Sequence, residues 1–249
     1  MASALTKAFT VIRLLRRTNG PLGLTEVARS LKIAPSSAHS TLSELINEGA
    51  VIQDSDRRYR LGPATFYFGA GYARSVPIYR TVWSQLVDAA RELSLTAVIA
   101  IPWEDHHLML NVHQGGGPNV EVAFGGRVPI DAGSFGKAYF AWSGTQIPEQ
   151  VGQYTAHSIT EHKQFAVEVA RAHERGYATD NEEFTVGVGA VCSGVTSERG
   201  FEGLASLIGP IAQVSDLGFE LTGRRLAAIA ARASLTLGDP GRVKVVGDL

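Results

Sequence analysis

The apolar residues of this 249-residue chain change their spacing part-way along it. Up to about residue 47 they recur every three to four positions, which is typical of amphipathic helices. Beyond Thr96 they alternate with polar residues, at Leu108, Leu110 and Val112 and again at Val120, Val122 and Phe124, which is typical of strands. Further strands are predicted near residues 186–196 and 203–208, and helices near 134–142, 161–175 and 216–237. One uniform architecture does not satisfy both patterns. The sequence therefore predicts an α+β protein, with a helical N-terminal part and a later part built on one central sheet.

The composition, 45% hydrophobic and 19% charged, predicts a folded chain, and its length favours two domains. Cys192 is the single cysteine, which excludes an intrachain disulfide and favours a reducing compartment. No apolar run is as long as the ~20 residues of a membrane span, and the start has no signal-peptide core. No phosphate loop, dinucleotide fingerprint or zinc-ligand spacing appears. We therefore expect a cytoplasmic protein with no membrane partner, no cofactor and no metal.

The net charge of −1 hides an asymmetry along the chain. Residues 1–75 carry ten basic and five acidic residues, a net charge of +5, whereas the remainder has a net charge of −6. A basic part joined to an acidic part indicates that the first binds a polyanion.

The basic part has the pattern of a winged helix-turn-helix. Helical spacing predicts a first helix over Leu5–Thr18, a second over Glu26–Leu31 with Thr25 as its N-cap, and a third over about Pro35–Asn47. Two short strands follow, around a basic turn at residues 54–58. In such folds the third helix enters the major groove of double-stranded DNA and the hairpin, or wing, touches the backbone or the minor groove.

Five residues on the exposed side of the third helix are small or polar hydrogen-bonding groups, and none of the five is a carboxylate. Such groups can approach phosphates and base edges closely, although serines near a helix start also serve as caps on a solvated face. The basic hairpin favours the first interpretation. The predicted DNA-binding residues are Ser36, Ser37, His39, Ser40, Ser43, Arg57 and Arg58.

These residues resemble the isocitrate-lyase-regulator (IclR) family of bacterial transcription regulators, and the resemblance covers nearly the whole chain. Members commonly have an arginine where this chain has Ser40, so Arg57 and Arg58 are expected to matter more here. The matching stretches are Gly23–Ala28, Ser36–His39, Glu48–Gly49, Tyr59–Gly62, Val128–Ala138, Arg175–Phe184 with Gly187–Val188, and Ser206–Pro210.

The resemblance implies a winged helix-turn-helix over residues 1–62, a linker helix over 63–77 and a GAF-like effector-binding domain over 78–249. It also implies that the linker helix, which is rich in aromatic residues, takes part in forming a homodimer, and that dimers pair into a dimer of dimers. The implied function is an effector-responsive, non-enzymatic DNA-binding regulator, and the family suggests that it controls catabolic genes. The implied partners are operator DNA and a small organic effector.

In this family an organic acid is held by backbone amides at a helix start and by side chains of two later loops. A helix N-terminus suits a carboxylate because its N–H groups lack intrahelical partners. Ala190 and Ile208 replace polar residues that are frequent in the family, and Asp131 stands where histidine is frequent. We therefore expect an aromatic or otherwise bulky carboxylate or carboxyl derivative. The candidate effector residues are Phe124, Gly133, Ser134, Phe135, Tyr139, Asp180, Ala190, Ser206 and Ile208.

Three alternatives stay open at this point. The stretch around Ser134 approximates a nucleophile elbow, which would make the protein a hydrolase, although the flanking meander of strands argues against it. Asp180, Glu182 and Glu183 could bind a hard metal ion, but acidic turns of this kind are usually solvated. The rings of Phe124, Phe135 and Tyr139 could be ordinary core rather than walls of a pocket.

Overall fold

The computed structural model describes residues 3–18, 20–117 and 120–237. The chain divides into two compact units, Met1–Ser75 and Val76–Leu249, and each is described by itself. The last twelve residues of the predicted effector domain, 238–249, lie outside the described residues. No helix in the described ranges has both the length and the apolar character needed to cross a membrane.

The first unit has four helices and one hairpin in its described part. Its core lies between the first three helices and the hairpin, where Val11, Val27, Leu42 and Val51 are fully buried. Lys32, in the left-handed conformation, ends the second helix and turns the chain into the third, which begins with proline. The elements are α1 (Ala4–Arg17), α2 (Leu24–Leu31), α3 (Pro35–Asn47), β1 (Val51–Gln53), β2 (Tyr59–Leu61) and α4 (Pro63–Ser75).

The second helix begins earlier than the sequence predicts. Its N-cap is Gly23 and not Thr25, because the Glu26 carboxylate reaches back to accept a hydrogen bond from the Gly23 amide at 2.6 Å. In a capping box, a carboxylate three residues after the N-cap accepts a hydrogen bond from the backbone amide of the N-cap residue, as Glu26 does here.

The second unit is a six-stranded antiparallel sheet with helices on both faces. The strand order is β5-β4-β3-β8-β7-β6. One face, which includes Val98, Met109 and Ala190, packs on α6, while α5 and α9 pack on the other. The elements are α5 (Pro77–Leu93), β3 (Thr96–Trp103), β4 (His106–Gln114), β5 (Arg127–Pro129), α6 (Gly133–Ser143), α7 (His162–Arg175), β6 (Ala178–Asn181), β7 (Val188–Ser197), β8 (Gly200–Pro210), α8 (Ile211–Leu217) and α9 (Phe219–Leu237).

The structure differs from the predicted elements at three points. Residues 120–124, predicted as a strand, are not in a strand, because the chain rejoins β4 only where the Gly125 amide donates to the Met109 carbonyl. The helix predicted over residues 216–237 is broken at Gly218, whose φ of +84° ends α8 before α9 begins. The short strand β6, which the alternation did not predict, pairs with β7 at the sheet edge.

Candidate functional site

The exposed face of α3 carries the predicted polar groups. Ser36, His39 and Ser40 are exposed, while Ser37 and Ser43 are half-buried. Ser37 also accepts a hydrogen bond from the Lys7 ammonium group of α1 at 3.4 Å. The opposite side of the helix, with Ala38, Leu42 and Leu45, packs into the core of the first unit. The sequence pattern therefore corresponds to one solvent-facing helix surface made of short polar side chains.

The turn of the hairpin is fixed by its first acidic residue. Asp54 Oδ1 accepts hydrogen bonds from the amides of Asp56 and Arg58, at 3.1 and 2.8 Å. Arg57 lies at the tip with a positive φ of +60°, and its side chain is exposed. This geometry presents Arg57 to solvent at the end of the hairpin.

The two predicted arginines have different environments. The Arg58 guanidinium turns back towards α2, where Nε and Nη2 donate to the Pro21 carbonyl at 3.0 and 2.8 Å and Nη2 lies 3.0 Å from a Glu26 carboxylate oxygen. Arg58 therefore holds the hairpin against the start of α2. Arg60 of β2, which the sequence argument did not select, is exposed like Arg57.

A cavity of about 230 Å³ lies in the second unit, on the α6 face of the sheet. An engineered apolar cavity of about 150 Å³ holds benzene, so this volume suits a substituted aromatic ring. Four of the nine predicted residues line it: Phe135, Asp180, Ala190 and Ile208. The lining residues missed by the sequence argument are mostly apolar, namely Met109, Val120, Val122, Val128, Ala132, Phe184 and Val188, with Gly126, Ala123, Glu121, Arg127 and Thr185 completing the wall.

The alternation of Val120 and Val122 reflects the burial of their side chains and not a strand. These valines pack against the core cluster beneath the sheet and line the cavity without belonging to a strand. A sequence signal for Phe184 as a lining residue did exist, because it ends the stretch Arg175–Phe184 that carries the family resemblance.

The first turn of α6 adjoins the cavity. Its N-cap, Ala132, has no side chain able to cap the helix, and Gly133 has a φ of +49°. The amides of Gly133, Ser134 and Phe135 have no hydrogen-bond acceptor among the described residues. Such N–H groups and the helix dipole favour an anion or another hydrogen-bond acceptor at this position.

Asp180 is the buried ionisable group of the cavity wall. It is 6% exposed, and its Oδ1 accepts a hydrogen bond from the Glu183 amide at 2.7 Å. Burial and the nearby Glu183 carboxylate raise the pKa of Asp180 to about 6, against the opposing effects of backbone hydrogen bonds and of Lys137. The carboxyl group therefore changes its charge near neutral pH.

Lys137 and Glu183 form a buried ion pair beside the cavity. Lys137 is 1% exposed, and its Nζ lies 2.6 and 2.8 Å from the two Glu183 carboxylate oxygens. The pair connects α6 to the loop after β6, which carries Phe184 into the cavity wall. Lys137 was not selected from the sequence, and Glu183 was considered there only as a candidate metal ligand.

A segment at residues 152–158 fixes the two loops of the cavity. Asp131 accepts hydrogen bonds from the Gly152 amide, at 2.6 Å, and from the Tyr154 hydroxyl. The Ser158 hydroxyl donates to the Glu183 carbonyl at 2.7 Å, and the Tyr154 ring packs edge-on against Phe184. Asp131 is therefore engaged within the protein.

The other predicted effector residues lie outside the cavity lining. Phe124 is 65% exposed, since the loop that carries it turns its ring away from the core. Ser206 is buried, and its hydroxyl donates to the Val191 carbonyl at 2.8 Å. Tyr139 packs its ring against His107, Phe140 and Phe201.

His107 is a buried histidine close to the cavity. Its ring lies 5.9 Å from the Phe135 ring, and Nε2 is 2.9 Å from the Ile130 carbonyl oxygen. Burial lowers the pKa of His107 to about 4, so the imidazole is neutral near pH 7. Its Nδ1 has no hydrogen-bond partner among the described residues.

Ser134 does not have the surroundings of a hydrolase nucleophile. Its hydroxyl is fully buried, and no histidine or carboxylate among the described residues bonds to it. A nucleophile elbow places the serine itself on a strained turn, whereas here the positive φ belongs to Gly133. A metal site is not indicated either, since the described residues contain no suitable group of three histidine, cysteine or carboxylate side chains.

Comparison with known families identifies both units. Residues 4–55 match the IclR helix-turn-helix domain, and residues 70–234 match the bacterial transcriptional regulator IclR C-terminal domain. The chain belongs to the IclR family. The resemblance inferred from the sequence is thereby confirmed, and the protein is a DNA-binding transcriptional regulator of the IclR type.

Named relatives in the IclR family align along most of the chain. The transcriptional repressor IclR of Escherichia coli is 23% identical over 224 residues, which is 86% of this chain and 82% of the relative. The regulator BhcR of Paracoccus denitrificans is 28% identical over 253 residues, covering 94% of this chain and 86% of the relative.

Solved IclR structures share the fold. An IclR regulator from Alicyclobacillus acidocaldarius has a TM-score of 0.79 at 24% identity, covering 96% of this chain and all of that one. An IclR homologue from Microbacterium hydrocarbonoxydans, complexed with 4-hydroxybenzoate, has a TM-score of 0.81 at 16% identity, covering 94% and 99%. These likenesses confirm the predicted α+β fold class, with its helix-turn-helix domain and GAF-like effector domain.

Proposed function

We propose that this IclR-type regulator binds operator DNA through α3 and the hairpin tip, as a dimer, in the cytoplasm. The observations that carry the proposal are the solvent-facing surface of Ser36, His39 and Ser40 on α3 and the exposed Arg57 at the hairpin tip. Two such units about one helical turn apart would read a pseudo-palindrome, which gives a specificity that one unit lacks. We propose repression, since the relative from Escherichia coli is named a repressor.

The test is fluorescence anisotropy on the DNA upstream of the protein's own gene and of neighbouring catabolic genes, with scrambled DNA of equal length as the control. Each lost phosphate contact lowers the slope of log K against log salt concentration by about 0.9. We expect Arg57→Ala to lower the magnitude of this slope by about 0.9, which corresponds to one lost phosphate contact. Equal weak binding of every DNA would contradict sequence-specific regulation at these promoters.

Dimerisation through α4 is the second part of the proposal. The described part of this helix has no buried residue, and Phe66, Tyr67, Phe68 and Tyr72 are 51–72% exposed. Exposed aromatic patches of this kind mark interaction surfaces. We propose that α4 packs on its counterpart in a second chain and that dimers pair further into a tetramer. Light scattering of Phe66→Ser and Phe68→Ser variants tests this, with dissociation of the oligomer as the expected result.

The proposed effector is a small carboxylate or carboxyl derivative with an apolar, aromatic body. The supporting observations are the cavity of about 230 Å³, its apolar wall, and the open amides of α6 beside it. Binding would change operator affinity only as far as the effector's affinity differs between the two DNA-binding states. Isothermal titration with benzoate and pyruvate tests the proposal. Tight binding of pyruvate without binding of benzoate would contradict the aromatic preference.

We further propose that the protein is not an enzyme. The buried, unpartnered hydroxyl of Ser134 supports this against the hydrolase alternative. Ester hydrolysis by the purified protein that disappears in Ser134→Ala would overturn it.

A further inference from the structure

The start of α6 lies beside a carboxylate that belongs to the protein itself. A β-carbon built on Gly133 would be 2.0 Å from Asp180 Oδ2, which means that the Asp180 carboxyl group touches the first residue of the helix. Asp180 also lines the cavity and is 6% exposed. Any carboxylate placed on the open amides of α6 is therefore a direct neighbour of Asp180.

The charged groups around Asp180 do not offset a second negative charge. From α6, Lys137 faces Asp180, but its ammonium group is already paired with both Glu183 oxygens. Across the cavity lie Glu121 and Arg127. Arg127 Nη2 is engaged by Glu104 and Asp105 at 3.2 and 3.3 Å, and its Nε is buried without a hydrogen-bond partner among the described residues. Neither residue is among the charges that act on Asp180. From β7 and β8, the lining residues are the apolar Ala190 and Ile208.

We propose that a carboxylate effector enters this pocket together with one proton, which is shared between its carboxyl group and Asp180. This inference rests on the proposed effector class. Two carboxylates at one buried site cannot both stay ionised, and the pair then titrates as a unit that holds a proton. The proton comes from the buffer, and no covalent bond is made. The raised pKa of Asp180, about 6 without ligand, agrees with this arrangement.

A ligand bound in this way needs one hydrogen-bond acceptor and one hydrogen-bond donor at its polar end. Towards α6 the ligand offers an acceptor oxygen, and towards Asp180 it offers a donor. A carboxylic acid does this only with the added proton, whereas the corresponding carboxamide does so without one, because its NH₂ group donates to an ionised Asp180. Benzoate and benzamide are therefore matched probes of nearly equal shape.

The experiment is isothermal titration of the full chain with benzoate and with benzamide at pH 7.5, in two buffers with different ionisation enthalpies. We expect uptake of about one proton per benzoate and of none per benzamide. Between pH 7 and pH 9 the benzoate affinity should fall about tenfold per pH unit, while the benzamide affinity stays constant.

Two variants separate Asp180 from its surroundings. Asp180→Asn supplies its own N–H donor, so benzoate should bind to it without proton uptake and without dependence on pH. Glu174→Gln, which removes an exposed carboxylate of α7 outside the cavity lining, should leave the uptake at one proton. If Asp180→Asn does not fold, the buffer and pH series on the unmodified protein decides alone.

The possible failures are distinguishable. Benzoate that binds with no proton uptake and a constant affinity overturns this inference and leaves the proposed effector class standing. Absence of binding by benzoate and benzamide alike overturns the effector class and this inference with it.

Discussion

Gly133 and Asp180 touch across the cavity wall, since a β-carbon on residue 133 would lie 2.0 Å from Asp180 Oδ2 and 3.3 Å from the Phe184 β-carbon. The two residues belong to α6 and β6 and are 47 positions apart in the chain. A side chain at residue 133 would force the acidic loop away from the helix start.

We expect Gly133→Ala to lower the free energy of unfolding by about 2–4 kcal/mol, from the clash and from the positive φ of +49°. Gly144→Ala is the matched control at the other end of α6, where φ is +71° but no atom lies within 4 Å of the new β-carbon. That control should cost only the backbone strain, about 1 kcal/mol. Equal losses in urea unfolding of the two variants would contradict the contact with Asp180.

Arg58→Ala should destabilise the first unit, because it removes the hydrogen bonds to the Pro21 carbonyl and the Glu26 carboxylate. The Arg58 side chain is 44% exposed, so we expect a loss of about 1 kcal/mol. Arg57→Ala should change stability by less than about 0.5 kcal/mol. Thermal unfolding of the two variants tests the difference. A larger loss of stability for Arg57→Ala would contradict the assignment of the stabilising contacts to Arg58.

Asp180 should make the protein less stable as pH rises from about 4 to 6. Its pKa is about 6 in the folded chain against an ordinary 3.8, so the folded state retains a proton that the unfolded state releases in this range. The accumulated loss is about 3 kcal/mol. Asp180→Asn removes it, so the stability of this variant relative to the unmodified protein should rise across the range, as measured by urea unfolding at several pH values.

His107 should act in the opposite direction over an overlapping range. Its folded pKa is about 4 against an ordinary 6.5, so the unfolded chain binds a proton that the folded chain excludes. Stability contributed by the neutral imidazole therefore rises from about pH 4 to 6.5, by about 3 kcal/mol. His107→Gln should lose this rise. Urea unfolding at the same pH values checks it, and a variant profile parallel to that of the unmodified protein would show that the burial of His107 does not control its titration.

Ile208→Ser should move ligand preference towards smaller and more polar acids. Ile208 lines the cavity, and the substitution replaces an apolar wall by a hydroxyl group. We expect benzoate affinity to fall at least about tenfold, since one methylene in an apolar pocket is worth about 1–3 kcal/mol, and pyruvate affinity to rise. Ile208→Val, which loses one methyl group without gaining a hydroxyl, should lower benzoate affinity less and leave pyruvate binding unchanged in calorimetry.

Local sequence signals predicted the first unit well because its elements are set by nearby residues. Helical spacing, the proline at the start of α3 and the glycine after it fixed α3 to within a residue. The N-cap of α2 was predicted wrongly because Glu26 accepts a hydrogen bond from the amide of Gly23, three residues earlier, and the helix therefore starts without a capping hydroxyl from Thr25. The role of Arg58 was not predictable, since its partner Pro21 is 37 positions away.

The pocket was predictable in part. Phe135, Asp180 and Ile208 lie in stretches that resemble the family, Ala190 follows one of these stretches by two positions, and all four line the cavity. Phe124 does not, because alternation alone cannot tell a paired strand from a loop that packs two valines onto a core. The contact between Asp180 and Gly133 depends on tertiary packing, so it could not be predicted from residue spacing along the chain.

The uncapped first turn of α6 couples ligand binding to the local rigidity of the helix. Where a serine, threonine or aspartate is the N-cap, its side chain accepts from this turn and adds about 1 kcal/mol, and Ala132 cannot do so. The proposed carboxylate effector would act as an exchangeable cap, so the first-turn amides of α6 would have acceptors only in the complex. Amide hydrogens at residues 133–135 would then exchange quickly in the free protein and slowly in the complex. Occupancy would be transmitted as a change in local rigidity, which requires no large movement of the sheet.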